Sequence, residues 1–352
     1  MRVLILMAPD ARRRDRYISA PLIRAGHDVQ LLPLRPFWRL LFRVSALRRE
    51  RPDVIISTSV NLKALIVFLA ALGANVPFVL RLGGDVFRDN VNLINRASRQ
   101  RRWTLWLSAQ VRQVSARCLV RRVRDVVLVN SALIDAMRHR LRSEARATTI
   151  PQYSTGDVFQ RDQEIGSTPV ILTAANLGFK AKAQGVIWLI DRMVEFAMVH
   201  TGDLTFRIAG GGAYLEDVQA HLARSRLPSN LSIECLGFVQ SLEPIWRSSN
   251  LFVYHSTHDG TPNVLLEARR WSLPCLLNRY PPFESIVEEG ESGLIFDDKV
   301  DFKRKISDLL QDEALRRRIA AGGVRAHHEN YSIDIIGSRW EQVLEQAIKC
   351  QH

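Results

Sequence analysis

Residues 250–274 run NLFVYHSTHDGTPNVLLEARRWSLP. Leu251 to Tyr254 is a short apolar run without alternation, the pattern of a strand buried on both faces of a parallel sheet. A polar loop follows, and Pro262 stands in the first turn of a helix, where a missing N–H costs nothing. Apolar residues then recur at helical spacing up to Trp271. Asp259 lies on the loop and Glu267 lies eight residues later on the helix, so both carboxylates can face one cleft. Gly260 permits close backbone approach, and the amides of Asn263 and Val264 sit at the positive end of the helix. A diphosphate is the natural occupant of such a helix start. Acidic groups beside it would accept hydrogen bonds from the hydroxyls of a sugar or ribose. On spacing alone, a capped helix with an ordinary buried glutamate accounts for the same residues equally well.

The same strand–loop–helix unit repeats outward in both directions. Downstream of a turn-rich stretch at 151–167, strands are expected at 170–174, 205–208, 233–236, 251–254, 275–277 and 294–295. Helices fall between them at 186–199, 214–224 and 263–271, and two helices close the chain. Upstream, strands are expected at 3–7, 29–34, 53–57, 78–80 and 126–130. Helices cover 17–25, 62–72 and 132–141, and one long basic helical stretch covers 93–124. This alternation predicts an α/β protein with two doubly wound, Rossmann-like parallel-sheet domains and a ligand in the cleft between them. The expected boundaries are 1–160 for the first domain and 166–325 for the second, with a C-terminal helix at 326–352 packing back on the first.

At 352 residues the chain exceeds one ordinary core, and 47% apolar with 24% charged residues is the composition of a soluble globular protein. The four cysteines are widely separated and lack metal-ligand spacing, which argues against a zinc site or a disulfide framework and for a reduced, cytoplasmic setting. Only five apolar residues follow Arg2, so no signal peptide is expected, and the longest apolar run, 64–74, is too short to span a bilayer. The charge is uneven. Residues 1–150 hold 28 Lys and Arg against 10 Asp and Glu, whereas the remainder holds 21 against 26. A basic first domain implies an anionic partner. Three segments mix arginine with apolar and aromatic residues. They are 36–49, with Phe37, Leu40, Leu41, Val44 and Leu47 in one stripe, then 101–107 (RRWTLWL), and 117–124. Such stretches can lie in a membrane interface, giving peripheral contact with the cytoplasmic leaflet of the inner membrane. Nucleic acid is the competing partner, and no recognised nucleic-acid module is present.

The segment DGTPNVLLEA at 259–268 resembles the signature of the retaining GT-B-fold glycosyltransferases of family four, the glycosyl transferases group 1. FRIAGGG at 206–212, CLGFV at 235–239, SSNLFV at 248–253 and GESGLI at 290–295 resemble further motifs of that family, in its order. The first half resembles it more faintly, at 24–29, 51–55 and 129–131. The resemblance implies metal-independent transfer of a sugar, with retention, from a nucleoside-diphosphate sugar to a saccharide or lipid-linked acceptor in cell-surface polysaccharide or lipopolysaccharide assembly. No D-x-D segment suited to a divalent ion occurs, and no cofactor is expected.

Carried over by position, the resemblance makes Asp259 the carboxylate on the donor sugar and Glu267 the one on the nucleotide ribose. Gly260, Thr261, Asn263 and Val264 then line the donor, with Gly211 of the glycine turn, Gly237 and Phe238. The family's diphosphate-binding Arg and Lys fall in ANLGFKAKAQG at 175–185, where Asn176 replaces the arginine. Lys182, or else Lys180, would supply the cation from a lengthened loop. Asp85, in RLGGD, stands at a catalytic position of the first domain, although the expected histidine is missing there. The usual glycines near the sugar are also missing; 8–14 reads APDARRR, and Arg12 to Arg14 could contact phosphate instead. A scaffold that keeps the fold without turnover is the rival that these departures leave open.

Overall fold

The computed structural model describes residues 1–7, 16–33, 51–99, 101–154 and 156–350. The segment at 8–14 and the stripe at 36–49 lie outside the described residues. Two compact units result: Met1–Tyr153 with Ser332–His352, and Ser154–Tyr331.

The first unit carries six parallel strands, β1 (Arg2–Met7), β2 (Asp28–Pro33), β3 (Val54–Ser57), β4 (Phe78–Leu82), β5 (Asp125–Leu128) and β6 (Arg146–Thr149), in the order β2-β1-β3-β4-β5-β6. Side chains alternate across β1, and its two apolar sets serve two different layers. Val3 and Ile5 pack with Ile18, Leu22, Ile336, Trp340 and Leu344, whereas Leu4 and Leu6 pack with Ala64, Val67, Phe68 and Leu119. Helices therefore cover both faces, as a parallel sheet requires. The helix Ile333–Lys349 belongs to the first of these layers and packs on the helix Arg16–Arg24.

The second unit holds β7 (Val170–Ala174), β8 (Leu204–Ala209), β9 (Leu231–Gly237), β10 (Leu251–Tyr254), β11 (Cys275–Asn278) and β12 (Leu294–Phe296). All are parallel, in the order β12-β11-β10-β7-β8-β9. One apolar core runs through it, from Ile171 and Leu189 to Phe302 and Ile319.

Several expected elements differ. The single helix expected at 93–124 is two, Val86–Arg99 and Trp103–Val120, because Arg101 takes a left-handed conformation (φ 51°) that a continuing helix excludes. The strand β6, RATT, has no apolar run to announce it. The helix expected at 186–199 starts six residues earlier, as Lys180–Ala197, so 180–185 is helix and not loop. Pro262 stands just outside its helix, Asn263–Arg270, in extended backbone (φ −72°, ψ 122°). Three helices close the chain: Lys299–Gln311, Glu313–Tyr331 and Ile333–Lys349. The units divide at 153/154 and 331/332, not at 160 and 325. The stretch after Tyr153 is anchored on the second unit, where Phe159 stacks on Trp271 at 3.9 Å and the Gln163 amide donates to the Ser272 carbonyl at 2.9 Å.

Candidate active site

Strand order in the second sheet reverses between β7 and β10: crossovers from β7 lead to β8 and β9, those from β10 to β11 and β12. Loops leaving the carboxyl ends of two such strands diverge, and ligands of doubly wound sheets bind in the crevice so formed. Here those loops are residues 175–179 and 255–262.

The second loop carries Asp259. Its Oδ1 lies 2.7 Å from Nζ of Lys182, and the two side chains are only 11% and 15% exposed. The other oxygen, Oδ2, accepts from the Tyr254 hydroxyl at 2.7 Å. Burial first, and then the Asp259 charge and this bond, hold the phenol well above its ordinary pKa, so it remains a donor. A carboxylate offers about four lone-pair directions, and these two donors leave room for a ligand hydroxyl.

Lys182 reaches Asp259 because its helix seats directly on the start of the 255–262 loop. A Cβ on Gly185 would lie 2.0 Å from the His255 carbonyl oxygen, so only glycine permits the approach. The His255 ring stacks on Trp188 with centroids 4.6 Å apart, and burial lowers its pKa to about 4, which keeps the imidazole neutral. Phe179, at the helix start, places its ring 5.7 Å from that of His258 and 5.8 Å from Nζ of Lys182.

The glycine turn after β8 abuts the β7 loop. Gly210 and Gly212 have φ of +151° and +142°, and a Cβ on them would come within 1.9 Å of the Ala175 oxygen and 2.1 Å of the Gly178 nitrogen. The Gly211 carbonyl accepts from the Leu177 N–H at 3.0 Å, and the Gly237 carbonyl from the Gly210 N–H at 2.8 Å. Phe238, next in the chain, is exposed, and a Cβ on Gly211 would lie 2.8 Å from the Phe238 Cβ.

The helix Asn263–Arg270 buries Leu265, Leu266 and Ala268, leaving Asn263, Val264 and Glu267 half-buried; Gly260 is half-buried and Thr261 buried. Burial raises the pKa of Glu267, while the Trp246 indole that hydrogen-bonds it and the neighbouring Arg270 pull it back.

The structure thus gathers Lys182, Asp259, the 175–179 loop and the glycine turn around one switch point. Lys180 is exposed at the start of its helix. The Asn176 side-chain oxygen accepts from the Gly178 N–H at 2.9 Å, closing the turn where the family keeps an arginine. Asp85 belongs to the first unit. It accepts from the N–H groups of Phe87 and Arg88 at 3.0 and 3.1 Å, capping the helix Val86–Arg99, and lies 3.6 Å from Arg140. The sequence left Tyr254, Trp246 and Gly185 without a role at the site. A tyrosine closing a buried strand five residues before a carboxylate is the one signal that pointed to the first of them.

Two Rossmann-like parallel-sheet domains with this switch-point site define a protein of the GT-B fold. Residues 168–312 match the family model of the glycosyl transferases group 1, and the motifs at 206–212, 235–239, 248–253, 259–268 and 290–295 fall inside that span. The capsular polysaccharide biosynthesis glycosyltransferase CapM of Staphylococcus aureus is 29% identical over 126 residues, 35% of this chain and 33% of that protein. The lipopolysaccharide core biosynthesis glycosyltransferase LpsE of Rhizobium meliloti is 28% identical over 167 residues, 45% of this chain and 49% of that one. The chain spans less than half the length of these curated relatives. Among solved structures, Anabaena HepE in complex with UDP-glucose aligns with a TM-score of 0.70 over 98% of this chain and 99% of that chain, at 14% identity, a likeness of fold.

Proposed function

We propose that this chain transfers a sugar from a nucleoside-diphosphate sugar to a saccharide or lipid-linked acceptor, with retention of configuration and without a metal ion. The observation that carries the reading is the Lys182–Asp259 pair at the β7/β10 switch point, inside the DGTPNVLLEA segment. Glu267 accepts from the ribose hydroxyls, and Asp259 accepts from a hydroxyl of the donor sugar. Lys182 turns from Asp259 towards the diphosphate, where negative charge grows as the glycosidic bond breaks, and the first-turn amides of the helix Asn263–Arg270 add to it. Such pre-set donors stabilise the leaving group more than the bound donor, which is what accelerates the step. The first domain supplies the acceptor side. The relatives' names, one capsular and one lipopolysaccharide, support an acceptor on the way to a cell-surface polysaccharide, and the HepE complex supports UDP as a first nucleotide to try. The working place is then the cytoplasmic side of the membrane.

A panel of nucleoside-diphosphate sugars, followed for hydrolysis and transfer by the wild type and Glu267→Ala, tests the proposal. One donor is expected to turn over with retained anomeric configuration in the wild type and without added metal, and to be inert with the variant. Turnover unchanged in Glu267→Ala, or an inverted product, would overturn it.

A further inference from the structure

The helix Trp103–Val120 in the first unit has two apolar faces. The inner one, with Ala116, Leu119 and Val120, joins the core of the first sheet, and Ala109, Gln113 and Ser115 are buried on the same side. A helix covering a sheet ordinarily turns a polar face outward. This one turns outward Trp103, Leu107, Val111 and Val114, with Trp103 76%, Leu107 60% and Val114 57% exposed. At 3.6 residues per turn these four fall on one stripe, and the exposed Arg117 and Arg121 continue the same line past the helix end. The helix Leu62–Ala74 packs beside it and exposes Leu69 and Leu72.

The charge around this stripe has one sign. From residue 90 to residue 124 the chain carries nine arginines and not one aspartate or glutamate. A surface that mates with another protein through apolar contact gains nothing from so uniform a charge, because a second copy would bring the same charge against it. An anionic leaflet complements both features: apolar side chains and an exposed tryptophan enter the headgroup boundary while arginines meet lipid phosphates. Among the described residues no helix is long and apolar enough to cross a membrane, so the contact lies along the surface.

We propose that the outward face of the helix Trp103–Val120, extended by Leu69 and Leu72, docks this chain on an anionic lipid bilayer. The two arginine-bearing segments at 101–107 and 117–124 form the two ends of this stripe. The inference stands apart from the donor site, since nucleotide binding belongs to the other unit.

Sedimentation with vesicles tests it, using neutral phosphatidylcholine alone and the same lipid with a third of phosphatidylglycerol. The wild type is expected to bind the anionic vesicles, with a blue shift of tryptophan fluorescence that Trp103→Ala diminishes. Each arginine near an anionic leaflet contributes about a factor of five, so Arg117→Gln with Arg121→Gln is expected to weaken binding roughly 30-fold. Leu107→Glu with Val114→Glu is expected to abolish it. These positions are exposed, and an unchanged melting temperature with unchanged nucleotide binding would show that the variants fold. Equal binding to neutral vesicles, no binding to either, or a concentration-dependent dimer in ultracentrifugation that Leu107→Glu with Val114→Glu disperses would overturn the proposal.

Discussion

Replacing Lys182 by Met removes the cation from Asp259 while keeping most of the aliphatic stem. The pair is close, 2.7 Å, and both side chains are largely shielded from water. Removing one member of a buried pair costs roughly 3–5 kcal/mol, because the other charge is left desolvated. Two features reduce that figure here. Neither side chain is completely buried, and Asp259 keeps the Tyr254 hydroxyl as a donor. A loss of about 2–3 kcal/mol follows, which for a domain of this size lowers the melting temperature by about 4–12 °C. Asp259→Asn strands the lysine instead and is expected to cost about as much. The double variant Lys182→Met with Asp259→Asn buries no unpaired charge, so it is expected to be no less stable than either single one, a coupling of at least about 2–3 kcal/mol. Scanning calorimetry of the four proteins measures it, and moderate salt should change the result little because the pair is shielded. If each single substitution moved the transition by less than 1 °C, or the two effects simply added, the pair would not be the coupled element that the geometry describes.

Gly212→Ala must move backbone, since its Cβ would lie 2.1 Å from the Gly178 nitrogen at a φ of +142°. The conformation alone costs about 1–3 kcal/mol, and urea denaturation should show at least that loss. Tyr254→Phe keeps the ring packing and removes one hydrogen bond to a charged group, worth about 1.5–3 kcal/mol, to be read in the same assay. Turnover is expected to fall with it, because Asp259 then keeps a single tether. Glu267 has a raised pKa, and its ionised form accepts from hydroxyls more strongly than the protonated acid, whose O–H is itself a donor. Nucleotide affinity is therefore expected to be full above that raised pKa and to fall as pH drops through it, from a higher pH than an exposed carboxylate would give. Its effect on stability has the opposite sense: the native state holds the proton more tightly than the unfolded chain, so this contribution declines as pH rises through the same range. Glu267→Gln should remove both dependences.

Much of the fold was legible because buried parallel strands are short apolar runs between helical stretches, as with LFVY at β10 and VILTA at β7. Asp259 and Lys182 could be named because the residues around them follow a family pattern. Their meeting could not be derived locally. Lys182 stands on a helix whose first six residues include Gly185, and glycine inside a helix reads as a break. It is tolerated because the His255 carbonyl occupies the space a side chain would need. The break at Arg101 and the short polar strand RATT were hidden for the converse reason: nothing in local propensity marks them, and tertiary context decides. Trp246 touches Glu267 across 21 positions of sequence, a contact that only the folded sheet creates.

On this reading a nucleoside diphosphate binds at the β7/β10 switch point. Calorimetric titration of a panel of nucleoside diphosphates into the wild type, Lys182→Met and Glu267→Gln measures it most directly. One nucleotide is expected to bind the wild type at a single site, and each variant to bind it roughly ten-fold or more weakly, the loss of one charge-assisted hydrogen bond. A panel in which nothing binds the wild type, or in which both variants bind as tightly as it does, would rule out a diphosphate site held by these two residues.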